Sequence, residues 1–276
     1  MSAKSSKILV PIGFSEQSII ALDQACCFAK LDDSKLFILS VIEERSTMEN
    51  LFFDDNSHEL KKKVHDKLDE ISEKFSKKYN IEIEIMVSQG KIYNQINEAA
   101  EMIDADLIIM GSTGSPKGRI KRFIGSNAER VVRLSKCPVM TIKGSTIKES
   151  CKNIILPLDT EKETKEKVTY AIRYARAWGA TIHLVSIVLK QNSIERKKLE
   201  LNLDQVLNFV KNAGIICTSN LIEGDKKQNV GDFIFDFQKK FDNDIFMIMT
   251  KKEELSLSKN ISVTARYIIN NSPIPV

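Results

Sequence analysis

No apolar stretch in the 276 residues approaches the roughly 20 needed to span a bilayer as a helix. A membrane-crossing role is therefore not expected. Histidine is scarce, with three residues, His58, His65 and His183. None has a nearby Cys or His partner, so a structural metal site is not expected. The five cysteines are odd in number and form no CxxC pair. They read as reduced thiols rather than as a disulfide framework. A strong basic excess is also missing. The net charge is only +4, where a nucleic-acid binder usually shows a larger, clustered one. Residues 1–7 carry no apolar signal-peptide core, and the expected location is cytoplasmic. No Ser/His/Asp or Cys/His arrangement is present, nor a carboxylate pair placed for acid–base work.

What the chain does have is a repeat. Lys7-Ile8-Leu9-Val10-Pro11-Ile12 returns as Asn153-Ile154-Ile155-Leu156-Pro157-Leu158, 146 residues later. The same offset carries Ala25 to Ala171 and Ala29 to Ala175. It also carries Leu36-Phe37-Ile38-Leu39-Ser40-Val41 onto Ile182-His183-Leu184-Val185-Ser186-Ile187. A fixed offset across several segments marks a duplicated unit. The expected domains are 1–145 and 152–276, with polar Gly144 to Lys152 between them.

Each unit alternates short apolar runs with helical patterns. Ile8 to Ile12 reads as a strand buried on both faces. Ser15 suits a helix cap with Glu16 in the first turn. Lys35 to Ile42 is a second buried strand. Leu60, Val64, Leu68, Ile71 and Phe75 recur at helical spacing. Ile81, Ile83, Ile85 and Val87 alternate with polar residues, as in an edge strand. Ile92 to Ile103 is helical, Leu107 to Met110 a strand, Ser126 to Leu134 a helix and Val139 to Ile142 a strand. The second unit repeats this order, but its fifth strand has little beyond Pro275-Val276 to build it. The fold class is α/β: two tandem, doubly wound, five-stranded parallel sheets, the second with a truncated last strand.

One motif carries chemistry. Gly111-Ser112-Thr113-Gly114 follows the strand ending at Met110, and Gly125-Ser126-Asn127 opens a helix. Glycine permits close backbone approach to a ligand, and helix N-termini favour anions. In open α/β sheets ligands sit beyond the carboxyl ends of the strands, which Gly13, Val41 and Gly111 follow or end. A second reading needs no ligand: Gly111 ends a strand, and Ser126 with Glu129 fits a capping box.

Ile8-Leu9-Val10-Pro11-Ile12 with Phe14-Ser15-Glu16 resembles the opening of the universal stress protein family. Gly111-Ser112-Thr113-Gly114, then Gly125 to Arg133 and Cys137-Pro138-Val139, resembles its closing signature. The resemblance covers the whole first unit and, more loosely, the second. It implies an adenine nucleotide α-hydrolase-like fold and ATP as ligand, with magnesium accompanying it. It assigns phosphate contacts to Gly111, Gly114, Gly125, Ser126 and Asn127. It places the nucleoside near Pro11, Ile12, Gly13 and Val41, above Met110. It also implies pairing of the two units as an intramolecular pseudo-dimer, with further homodimerisation open.

Two positions depart from the family pattern G-x2-G-x9-G-[ST]. Ten residues separate Gly114 from Gly125. Gly13 stands where nucleotide-binding members carry an aspartate, so weakened binding is expected. The second unit has Asp159 at that place, but Met249-Thr250-Lys251-Lys252 and Asn260-Ile261-Ser262 replace the glycines. No nucleotide is expected there, and a structural or partner-binding role is. The alternatives are a module that binds no nucleotide and, ranked last, an ATPase or nucleotidyl transferase. Lys117, Arg119, Lys121 and Arg122 read as a solvated lid or as phosphate contacts. Cys26-Cys27 and His183 read as core, and Asp104 and Asp106 as turn residues.

Overall fold

The computed structural model describes residues 5–43, 57–113, 124–144, 147, 149–159, 164–189, 193–225, 228–241, 244–250 and 261–276. They fall into two compact units, Met1–Glu149 and Ser150–Val276. The first holds β1 (Lys7–Pro11), α1 (Glu16–Asp32), β2 (Lys35–Ile42), α2 (Ser57–Tyr79), β3 (Ile83–Gln89), α3 (Ile92–Ile103), β4 (Leu107–Gly111), α4 (Ser126–Leu134) and β5 (Val139–Ile142). The second holds β6 (Asn153–Pro157), α5 (Thr164–Trp178), β7 (Thr181–Leu189), α6 (Ser193–Asn212), β8 (Cys217–Gly224), α7 (Val230–Gln238), β9 (Asp244–Phe246) and α8 (Val263–Asn271).

The first sheet runs β3-β2-β1-β4-β5, every pair parallel. Parallel neighbours need crossover helices, and these cover both faces. That is why Ile8, Leu9 and Val10 are all buried and why the strands read as unbroken apolar runs. The alternating β3 lies at the edge, as its pattern requires. The chain winds outward from β1 through β2 to β3, then returns to place β4 on the other side of β1. The switch point therefore lies between the carboxyl ends of β1 and β4.

The second unit repeats several backbone bonds of the first. The β1–β2 register begins Lys7↔Lys35 and the β6–β7 register begins Asn153↔Thr181, the same pairing 146 residues on. The Ile12 amide donates to the Leu39 carbonyl at 2.7 Å, and Leu158 to Val185 at 2.8 Å. Ser34 donates to Ala29, and Ala180 to Ala175. The duplicated letters thus encode duplicated hydrogen bonds.

Four described strands form the second sheet, in the order β8-β7-β6-β9. Beside the three-residue β9, the Phe246 amide donates to the Pro275 carbonyl at 2.9 Å. Ile274 and Val276 pack into the adjoining apolar cluster with Phe246, Ile155 and Phe237. The short last strand expected from the sequence is thus a single backbone bond and a hydrophobic anchor.

Candidate functional site

At the β1 exit, Pro11 and Val41 are half-buried, Ile12 is buried and Gly13 is exposed. A Cβ built on Gly13 meets no atom within 4 Å. Phe14 then takes a φ of 55°, the left-handed region, which costs a non-glycine residue about 1–2 kcal/mol. This bend sends the chain into α1. There the Ser18 amide donates to Ser15 Oγ at 3.2 Å, the expected cap. Lys67 Nζ on α2 sits 4.7 Å from the centre of the Phe14 ring.

At the β4 exit, Met110 is buried among Leu9, Leu39 and Ile108, with Val41 packed against the same cluster. Gly111 is needed for a reason the sequence did not show. A Cβ there would lie 2.8 Å from Gln17 Cγ and 3.1 Å from the Gln17 carbonyl oxygen. The first turn of α1 thus presses on the end of β4 whether or not a ligand is held. Ser112 is 2% exposed, and its Oγ has no hydrogen-bond partner among the described residues. Buried polar atoms are nearly always paired.

Residues 114–123 lie outside the described residues, and with them Gly114, Lys117, Arg119, Lys121 and Arg122. The chain is described again at Ile124, and the Gly125 amide donates to the Ser112 carbonyl at 2.8 Å. That bond joins the start of α4 to the β4 exit. It brings Gly111, Ser112, Gly125, Ser126 and Asn127 into one neighbourhood. The capping-box reading is corrected here. Gly125, not Ser126, is the N-cap of α4, and it has no side chain to donate to. Ser126 is the first helical residue, one position too late to cap. The cap residue itself therefore supplies no side-chain acceptor to this end. The opening amides of a helix and the positive end of its dipole suit an anionic acceptor.

At the equivalent exit in the second unit, side chains bond to the backbone. Lys167 Nζ donates to the Pro157 carbonyl at 2.8 Å, Ser186 Oγ to the Leu158 carbonyl at 2.8 Å, and Asn202 Nδ2 to the Asp159 carbonyl at 2.8 Å. Ser262 caps α8 with its own Oγ, which accepts from the Ala265 amide. Three side chains and a cap thus engage backbone groups among the described residues of this exit. Residues 251–260, including Lys251, Lys252 and Asn260, lie outside the described residues.

The remaining candidates are structural. Burial and then the Asp23 carboxylate push the Cys26 thiol far up, and burial also raises Cys27. A reactive thiol needs the opposite shift. Burial lifts Cys217 to about 11. His183 is buried, with Nδ1 2.8 Å from Thr218 Oγ1 and Nε2 2.8 Å from Asn153 Oδ1. Its ring stacks on Phe241. Asp104 ends α3 in the left-handed conformation, and Asp106 Oδ2 accepts from the Lys7 amide. Two contributors escaped sequence reasoning. The Ser112 hydroxyl lay inside the motif, but its lack of a partner is a property of packing. Gln17 stands in an ordinary first turn, and nothing in the sequence points from it to β4.

Comparison with known proteins matches this arrangement. The family model described as "Universal stress protein family" matches residues 4–143. The chain is 31% identical over 141 residues to universal stress protein MJ0531 of Methanocaldococcus jannaschii, covering 50% of this chain and 81% of that protein. It is 29% identical over 160 residues to universal stress protein MJ0577 of the same organism, covering 52% and 98%. Among solved structures, a universal stress protein from Archaeoglobus fulgidus superimposes with a TM-score of 0.73 at 18% identity, covering 99% of this chain and 98% of that one. That likeness extends the fold to the second unit. No described helix is long and apolar enough to cross a membrane. The matched first half, the strand order and the glycine-bounded switch point agree, and the chain belongs to the universal stress protein family.

Proposed function

We propose that the first unit binds an adenine nucleotide, ATP, at the β1–β4 switch point, and that the second unit does not. The observation that carries this reading is a glycine-capped α4 N-terminus bonded to the β4 exit beside Ser112, whose buried Oγ has no hydrogen-bond partner among the described residues. Amides at a helix start and a hydroxyl donor suit phosphate oxygens. Gly111, Gly114, Gly125, Ser126 and Asn127 take the phosphates. Pro11, Ile12, Gly13 and Val41 border the nucleoside, with Met110 beneath it. Magnesium accompanies the bound triphosphate and offsets its charge.

Gly13 leaves the nucleoside end without the carboxylate that the family pattern supplies, so affinity is modest. The second unit, 152–276, keeps Asp159 but satisfies its own exit through Lys167, Ser186 and Asn202, and serves as a structural or partner-binding half. The first unit, 1–145, is a binding domain rather than an enzyme: its exit offers hydrogen-bond donors, and among the described residues no base stands poised there to activate water.

The test is direct. Freshly purified protein is denatured and its supernatant chromatographed for adenine nucleotide, and the emptied protein is titrated with MgATP. The expected stoichiometry is one nucleotide per chain, with a rise in melting temperature. No nucleotide in the supernatant and no shift at millimolar MgATP favours the runner-up, a pure interaction module. Time-dependent ADP release favours an ATPase.

A further inference from the structure

The second unit leaves one helix face bare. On α6 the inner residues Leu199, Leu203, Val206 and Val210 are buried, and the helix packs on β7 and β8. Its outer face carries Ile194, Leu201 and Phe209, which are 69%, 63% and 56% exposed. They stand seven and eight residues apart, close to two helical turns each, so they share one side of the helix. Single exposed apolar residues need no explanation, but a row of them does. The first unit offers a comparison. Its α2 buries Leu68 and Phe75, spaced as Leu203 and Val210 are on α6. With those pairs aligned, the places of Ile194, Leu201 and Phe209 hold Glu59, Asp66 and Lys74, all exposed. The same helix of the duplicated unit thus shows water charged residues in one copy and apolar ones in the other.

We propose that this α6 face is a contact surface for a second copy of the chain, packed antiparallel about a two-fold axis that passes between the two Leu201 side chains. The inference does not depend on the nucleotide reading. The charges around Leu201 suit that partner. Lys198 and Asp204 each lie three residues from Leu201, and Lys197 and Gln205 each lie four. Reversing one helix against the other about Leu201 exchanges these places. The Lys197–Lys198 pair of each copy then faces Asp204–Gln205 of the other, and the contact occurs twice. Ile194 and Asn208 each lie seven residues out, so each Ile194 meets the Asn208–Phe209 end of the other helix. A parallel arrangement would instead set lysine on lysine. Lys197, Lys198 and Asp204 are all exposed, while the ion pairs described on this helix run from Arg196 to Glu200 and Glu223. One helix face buries less than about 1,200 Å², the small end of specific interfaces. The dimer is therefore weak, with a Kd on the order of 10–100 µM.

Sedimentation velocity of the full chain, from about 1 to about 200 µM, is expected to show a monomer–dimer equilibrium. Leu201→Asp sets two carboxylates against each other at the axis and is expected to weaken dimerisation at least about tenfold. Asp204→Lys alone sets lysines against lysines and is expected to weaken it about threefold or more. Adding Lys197→Asp and Lys198→Asp to that change reverses every pair, and is expected to restore the parent affinity within about threefold. Circular dichroism melting confirms that each variant is folded. Cysteine substitution reads the geometry. Leu201→Cys should form an interchain disulfide under mild oxidation beyond the parent's background, because both copies place it at the axis. Phe209→Cys should not, because its two copies stand more than about 20 Å apart along the helices.

A chain that stays monomeric at about 200 µM overturns the proposal. So does a dimer that survives Leu201→Asp, since its interface then lies elsewhere. Crosslinking at Phe209→Cys without crosslinking at Leu201→Cys, or no recovery in the triple charge swap, overturns the antiparallel two-fold arrangement. If the monomer instead sediments with neutral phosphatidylcholine vesicles and Leu201→Asp abolishes this, the face belongs to a lipid surface and the proposal fails.

Discussion

Replacing Gly13 with aspartate should strengthen nucleotide binding. The site tolerates the change. Gly13 is exposed, a Cβ there meets no atom within 4 Å, and its φ lies outside the left-handed region. The substitution therefore adds a carboxylate at the β1 exit without a clash. A hydrogen bond to a charged group contributes about 1.5–3 kcal/mol, and exposure places the gain near the lower end. That corresponds to about a tenfold lower Kd for ATP. Isothermal titration of MgATP into parent, Gly13→Asp and Gly13→Asn separates charge from shape. The aspartate variant should gain about tenfold and the asparagine variant markedly less. An unchanged or higher Kd in Gly13→Asp, with an unchanged melting temperature, would refute the placement of the nucleoside beside Gly13. A gain confined to adenosine, with none for ATP, would refute the placement of the phosphates.

The other predictions concern stability and its pH dependence. Gly111→Ala forces a Cβ against the Gln17 backbone. It should cost about 1–3 kcal/mol through overpacking, measured by urea denaturation, even with no nucleotide present. Gly231→Ala places a Cβ 2.3 Å from the Tyr267 ring, whose hydroxyl donates to Asp232. A similar loss of about 1–3 kcal/mol, with a drop in the melting temperature, should follow. Burial lowers the pKa of His183 below its usual 6.5. The unfolded chain therefore binds a proton that the folded one refuses. The stability from neutral His183 is complete above pH 6.5 and is lost as pH falls from there through the folded pKa. Denaturation midpoints at neutral and mildly acidic pH should show this slope, and His183→Gln should flatten it. An undiminished slope in that variant would assign it to other groups.

The sequence made some features legible and hid others for identifiable reasons. The tandem units were readable because β1 and β6 are encoded by matching apolar runs, and a strand buried on both faces leaves few choices of residue. The 146-residue offset transferred to the β1–β2 and β6–β7 register, because matching apolar runs pair in the same way. The edge position of β3 was readable because a half-wet strand must alternate. Helix ends were less legible. The S-x-x-E spelling at Ser126 suggested a side-chain cap, but the helix starts one residue earlier than that motif needs, and Gly125 takes the capping position.

The candidate site divides the same way. Its location followed from sequence alone, because doubly wound sheets expose the carboxyl ends of β1 and β4 at one switch point and the glycines sit there. What each glycine does was settled only by packing. Gly111 lacks a side chain because α1 presses on it, while Gly13 has open space where a carboxylate would fit. The packing of Gln17 against Gly111, the Ser186 bond to Leu158 and the Asn202 bond to Asp159 all join residues far apart in sequence. Sequence patterns report neighbours along the chain and the faces they share. Which distant donor meets which carbonyl depends on how helices lie across the sheet, and only the tertiary structure decides that.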